Sequence, residues 1–152
     1  MQQRSIPMEA LAELLSLQLA HGGQAPLTVT GSSMLPMLRE GRDTVYLSCL
    51  SDPLKKGDLI LYRRDSGSYI LHRIVAVPSD TELICCGDNQ WQPERIGKAQ
   101  VLGVVSGFSR NGKHYDTSHG LYRLYVRLWV GIFPVRRYMF ALRRKLKKLF
   151  RS

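Results

Sequence analysis

From residue 27 to residue 116 the chain alternates short runs rich in Val, Ile, Leu and Tyr with clusters of turn residues, and this rhythm restricts it to a mainly β architecture. Runs at 27–30, 44–50, 58–64, 69–77, 82–86 and 101–109 read as strands. Breaks fall at Ser51-Asp52-Pro53, Asp65-Ser66-Gly67 and Pro78-Ser79-Asp80. Asn111-Gly112 is a two-residue hairpin signal that joins the last long run to a further strand at 113–116. A chain of 152 residues has room for one such domain with a real core, plus terminal extensions.

The two ends have a different period. Pro7 suits a first helical turn, and Leu11, Leu14, Leu15 and Leu19 recur at helical spacing before Gly22 and Gly23 end the pattern. Glu9, Glu13 and Gln18 interrupt that run, so it is not a signal peptide, and no window offers the roughly 20 apolar residues of a spanning helix. At the other end, 121–133 and 135–150 read as helices separated at Pro134. The expected organisation is an N-terminal amphipathic helix at 1–24, a β domain at 25–117 and a basic helical extension at 118–152. Cys49, Cys85 and Cys86 carry no zinc spacing and are an odd number, which favours reduced thiols with no metal and no cofactor.

Chemistry is concentrated in a few places. Val29-Thr30-Gly31-Ser32-Ser33-Met34 sets a serine among small residues just after a strand, where a hydroxyl on a turn is open to attack a substrate. His72 lies on the 69–77 strand with Ile70 and Ile74 on its face, while Leu71, Arg73 and Val75 point the other way. A serine hydroxyl needs a base that is neutral near pH 7, and imidazole, with an ordinary pKa of about 6.5, requires little adjustment for that work. A histidine base therefore tolerates a wetter site than a lysine, which needs burial to lose its proton.

Four segments in order resemble the type I signal peptidases and their LexA-like self-cleaving relatives. Gly31-Ser32-Ser33-Met34-Leu35-Pro36 is similar to the nucleophile box, Lys56-Gly57-Asp58-Leu59-Ile60-Leu61-Tyr62 to the next strand, Leu71-His72-Arg73-Ile74-Val75 to the base box, and Cys86-Gly87-Asp88-Asn89 to the acidic box. The resemblance covers about residues 27–105. It implies a signal-peptidase/LexA-like, β-barrel-like catalytic domain. Ser33 would be the nucleophile, His72 the base as in the endoplasmic-reticulum and archaeal subgroup, and Asp88 the supporting carboxylate. The Ser33 N–H is the expected oxyanion donor, with Gly31 and Ser32 completing the substrate-binding turn. Gly31 stands where several relatives have a hydroxyl residue, so Ser32, Thr30 or another backbone amide is left as second donor. Acidic residues often follow the acidic box in the histidine subgroup; here Gln90-Trp91-Gln92-Pro93 intervenes before Glu94.

Charge is partitioned sharply. Residues 1–120 hold 12 basic and 12 acidic side chains, whereas 121–152 hold the other 10 basic residues and no acidic one. Arg123, Arg127, Arg136, Arg137, Arg143, Arg144, Lys145, Lys147 and Lys148 are interleaved with aromatics including Trp129, a pattern expected to bind an anionic membrane surface, with nucleic acid as the alternative partner. The expectation is a cytoplasmic, peripherally membrane-associated serine endopeptidase that cleaves a leader, signal or propeptide. Its rivals are a catalytically silent peptide-, membrane- or nucleic-acid-binding module and a self-cleaving protein. For the latter, only about 30 residues precede Ser33, with no Ala-Gly or Cys-Gly pair among them.

Overall fold

The computed structural model describes residues 8–50 and 53–151. In chain order the elements are α1 (Met8–Ala20), β1 (Ala25–Thr28), β2 (Asp43–Ser48), β3 (Leu59–Arg63), β4 (Tyr69–Ala76), β5 (Glu82–Cys86), β6 (Glu94–Gly97), a 3-10 turn (Lys98–Gln100), β7 (Val101–Arg110), β8 (Lys113–Asp116), α2 (Gly120–Gly131) and α3 (Phe133–Leu149). Pro7, the Leu11 side chain and the Ser51-Asp52 break lie outside the described residues.

The described strands make one antiparallel sheet in the order β1-β2-β7-β3-β4-β5-β6, with β8 paired to β7. Strands β3 to β6 form a meander. One edge of β7 pairs with β2, and its other edge pairs with β3 through Val101–Val104 and with β8 through Gly107–Arg110. No pair joins β1 to β6 among the described residues. The described chain is thus a mainly antiparallel β sheet with three helices.

Alternation along β3 explains why its sequence is continuously apolar. Leu59 and Leu61 enter one core with Leu15, Leu19, Met34, Leu38, Val45 and Phe108, while Ile60 and Tyr62 enter a second with Ile74, Leu83, Cys85 and Ile96. Fully burying an aliphatic side chain of this kind stabilises a fold by about 1.5–3 kcal/mol. The strand β6 was absent from the sequence reading, because Glu94-Arg95-Ile96-Gly97 carries a single inward apolar residue, Ile96, opposite Leu83.

Pro134 sits in the first turn of α3, where its missing N–H leaves no helical bond unmade. Helix α2 packs against the sheet domain: Tyr122 reaches the first core, and a Cβ on Gly57 would stand 2.9 Å from Val126. Among the described residues no helix is long and apolar enough to cross a membrane.

Candidate active site

Ser33 lies in the turn between β1 and β2. Buried Val29, Met34 and Leu38 fasten that turn to the first core. Gly31 has φ of 74°, a left-handed conformation with open space where a side chain would be, so glycine is favoured there by backbone strain and not by crowding. Beyond the turn, the buried Asp43 carboxylate accepts the Arg39 N–H and the Arg42 and Arg110 guanidinium groups, each at 2.9 Å. Burial opposes ionisation of Asp43, but the two arginines and the Arg39 amide outweigh it and hold the carboxyl below its usual range.

The 87–90 loop is stitched to this turn. The Asn89 N–H donates to the Ser33 carbonyl at 2.8 Å, and Asn89 Nδ2 donates to the Ser32 carbonyl at 3.1 Å. Both carbonyls of the serine pair therefore point at the loop. The Ser33 N–H has no hydrogen-bond partner among the described residues, which leaves it able to donate to an oxyanion. A Cβ on Gly87 would lie 2.6 Å from the Ser33 carbonyl oxygen and 3.1 Å from His72 Nε2, so only glycine fits between the Ser33 turn and the imidazole.

His72 is 4% exposed. Its Nδ1 faces Tyr62 Oη at 3.3 Å and Glu94 Oε1 at 3.6 Å, and the Tyr62 hydroxyl itself donates to Glu94 Oε1. Arg64 grips the same carboxylate with Nε to Oε2 at 2.9 Å and Nη2 to Oε1 at 2.8 Å. With its proton committed to Glu94, Tyr62 offers an oxygen lone pair to an Nδ1–H, and the Nε2 lone pair is left on the side of Gly87 and Ser33. Ser33 and His72 line the same groove, of about 450 Å³, although no hydrogen bond joins them.

Burial pushes the His72 pKa down to about 4, against the opposing charge of Glu94. The imidazole is neutral at pH 7, but in a dry setting. The expectation that His72 serves with little shift is corrected by this burial. Partial burial resists ionisation of Glu94 as well, yet the hydrogen bonds from Arg64 and Tyr62 prevail and hold that carboxyl below its ordinary value.

Asp88 is placed elsewhere than the resemblance implies. It is fully buried and takes a two-pronged ion pair from Arg73, Nε to Oδ1 and Nη2 to Oδ2, both 2.9 Å, plus the Tyr125 hydroxyl at 3.0 Å. Burial works against the Arg73 charge, but the Asp88 carboxylate raises its pKa above the usual arginine value. Adjacent strand residues face opposite ways, so the arginine next to His72 draws Asp88 to the far side of β4. The carboxylate beside the imidazole is Glu94.

The extension also departs from its expected role at two positions. Trp129 and Arg136, read from sequence as membrane-facing, point inward: Trp129 Nε1 donates to the Asp88 carbonyl at 2.8 Å, and Arg136 Nη1 donates to the Gly87 and Gln90 carbonyls, both 3.3 Å. Tyr122, Tyr125, Trp129 and Arg136 recur at near-heptad spacing, the signal for an inward stripe. Arg123, Arg127, Arg137, Arg143, Arg144, Lys145, Lys147 and Lys148 are exposed. All three cysteines are free, with Cys49 exposed and Cys85 and Cys86 buried, and no cluster of metal-ligating side chains occurs among the described residues. No protein-family model matches the chain, and no curated protein matches it.

Proposed function

We propose that the protein is a serine endopeptidase of signal peptidase type. Ser33 attacks the scissile carbonyl while His72 Nε2 takes its proton, and the Ser33 N–H stabilises the tetrahedral oxyanion. The imidazolium then protonates the leaving amine, and water, activated by the same base, hydrolyses the acyl-enzyme. Glu94 acts through Tyr62 to hold the ring in its Nδ1–H form and to offset the positive charge it gains.

The observation that carries this reading is the shape of the groove that Ser33 and His72 share. It is bounded by two strand edges that have no neighbour among the described residues: the outer edge of β1, and β4 at Tyr69–His72, since β5 pairs only from Arg73 onward. An extended peptide can add to such an edge through main-chain hydrogen bonds. Leu27, Val29, Met34, Leu61 and Leu71 give the groove an apolar lining suited to a leader or signal-like segment.

The test is incubation of the protein, Ser33→Ala and His72→Ala with a library of leader-like peptides, read by mass spectrometry. Cleavage by the native protein alone is expected, since removing nucleophile or base in such a pair lowers kcat on the order of 10⁶-fold. Equal cleavage by all three rejects the site, and cleavage by none rejects the peptidase reading in favour of a silent binding module.

A further inference from the structure

Helix α3 presents two faces with different destinations. One carries Arg136, which is 1% exposed and holds the carbonyls of Gly87, Gln90 and Trp129 while its guanidinium lies 5.1 Å from the Trp129 and Phe133 ring centres. The other carries Val135, Met139, Leu142, Leu146 and Phe150, all exposed and spaced to form one stripe along the helix. Exposed Arg143, Lys145 and Lys147 flank that stripe, exposed Arg144 and Lys148 add charge on the opposite side of the helix, and 121–152 contain no acidic residue. A second copy laid on this face would set positive against positive. An anionic bilayer meets both the apolar stripe and the charge.

We propose that the stripe of α3 seats on an anionic bilayer surface and that Arg136 passes this contact to the 87–90 loop, so that membrane binding promotes the active arrangement of Ser33 and His72. The linkage is thermodynamic. The stripe exists only while 133–149 is helical, and so does the reach of Arg136 to the Gly87 and Gln90 carbonyls. A bilayer that binds the helical, docked form more tightly than a frayed one shifts the population toward the clamped loop. That loop holds Ser33 through Asn89 and sets Gly87 against His72 Nε2. Arg136 is thus a positioning residue. The rate effect rests on the peptidase reading above; the binding and the loop ordering do not.

The experiment uses the full chain with vesicles of phosphatidylcholine alone or of equal parts phosphatidylcholine and phosphatidylglycerol. Sedimentation, peptide cleavage and amide hydrogen exchange at 87–90 are followed together. Expected results are co-sedimentation with the anionic vesicles only, weakened by salt, with slower exchange at 87–90 and a rise in cleavage of about 5-fold or more. The double variant Leu142→Glu/Leu146→Glu should lose binding and stimulation while keeping the lipid-free rate. Arg136→Met should still bind but show neither stimulation nor slowed exchange; if it fails to fold, Arg136→Lys, which cannot span the three carbonyls, gives the same reading.

Four outcomes overturn the proposal: equal sedimentation with both vesicle types, no sedimentation with either, a lipid-free dimer that the double variant dissolves, or tighter binding of an RNA oligonucleotide that the double variant leaves intact. Binding without change in exchange at 87–90 overturns the coupling. If the native protein cleaves no peptide, the rate arm falls with the peptidase reading and the exchange arm decides alone.

Discussion

Arg73 and Asp88 form a two-pronged ion pair with both N–O distances at 2.9 Å and neither side chain reached by solvent. Removing one partner of a buried pair leaves an uncompensated charge, at a cost of about 3–5 kcal/mol. Asp88→Asn is therefore expected to lower the midpoint of urea unfolding substantially.

Glu94→Gln should behave in the opposite way. Arg64, the cation that loses its partner, keeps 40% of its side chain exposed and is hydrated in its place, so stability changes little. On the proposed mechanism the imidazolium formed during turnover loses its neighbouring charge, and kcat is expected to fall about 10²-fold with KM nearly unchanged. Measuring unfolding and cleavage on both variants separates the scaffold acid from the site acid, and a larger kcat loss in Asp88→Asn than in Glu94→Gln, at temperatures where both are folded, would reverse the assignment.

The pH dependence follows from His72. Burial lowers its folded pKa from 6.5 to about 4, so between these values the unfolded chain binds a proton that the folded chain does not. The stability due to this residue is complete above pH 6.5 and declines as pH falls toward 4. On the proposed mechanism, His72 stays neutral and able to act as base across the same window. The acidic limb of kcat/KM should bend near pH 4 instead of near 6.5, and lower still in Glu94→Gln, whose missing charge had favoured the protonated ring.

Gly87→Ala tests how closely the nucleophile turn approaches the base. The added carbon would lie 2.6 Å from a backbone oxygen of Ser33, which no side-chain rotation relieves. Loss of most activity is expected, together with faster hydrogen exchange of the Asn89 amide that now binds Ser33.

Thiol labelling provides a check on the burial of β5. Burial pushes Cys85 up to about 12 and Cys86 up to about 11, while Cys49 is exposed. One thiol per native chain should react with a disulfide reagent at pH 8, and three after denaturation.

Much of this architecture is legible in the residues because strand alternation and turn chemistry act locally. The reading of 82–86 and 113–116 coincides with β5 and β8, and the Asn111-Gly112 turn joins β7 to β8. Errors arise where a partner distant in sequence decides. Strand β1 runs two residues earlier than its apolar pattern suggests, because pairing with β2 sets its register. Which acid serves His72 depends on Arg73 capturing Asp88, and on Tyr62 and Arg64 presenting Glu94 from β3 and the residue after it. The division of the basic extension into inward Arg136 and outward Arg143 likewise requires knowing where α3 meets the 87–90 loop.

The dual pairing of β7 has a consequence for biosynthesis. Ser33 belongs to the β1–β2 side of the sheet and His72 to the β3–β6 meander, and among the described strands the ladder between the two sides runs through β7, beside the two hydrogen bonds from Asn89 to the Ser32 and Ser33 carbonyls. A ribosome makes both residues well before it makes Val101–Arg110. Until that strand emerges, the growing polypeptide holds Ser33 and His72 on modules that have no ladder between them, and it exposes an unpaired β2 edge open to pairing with another chain.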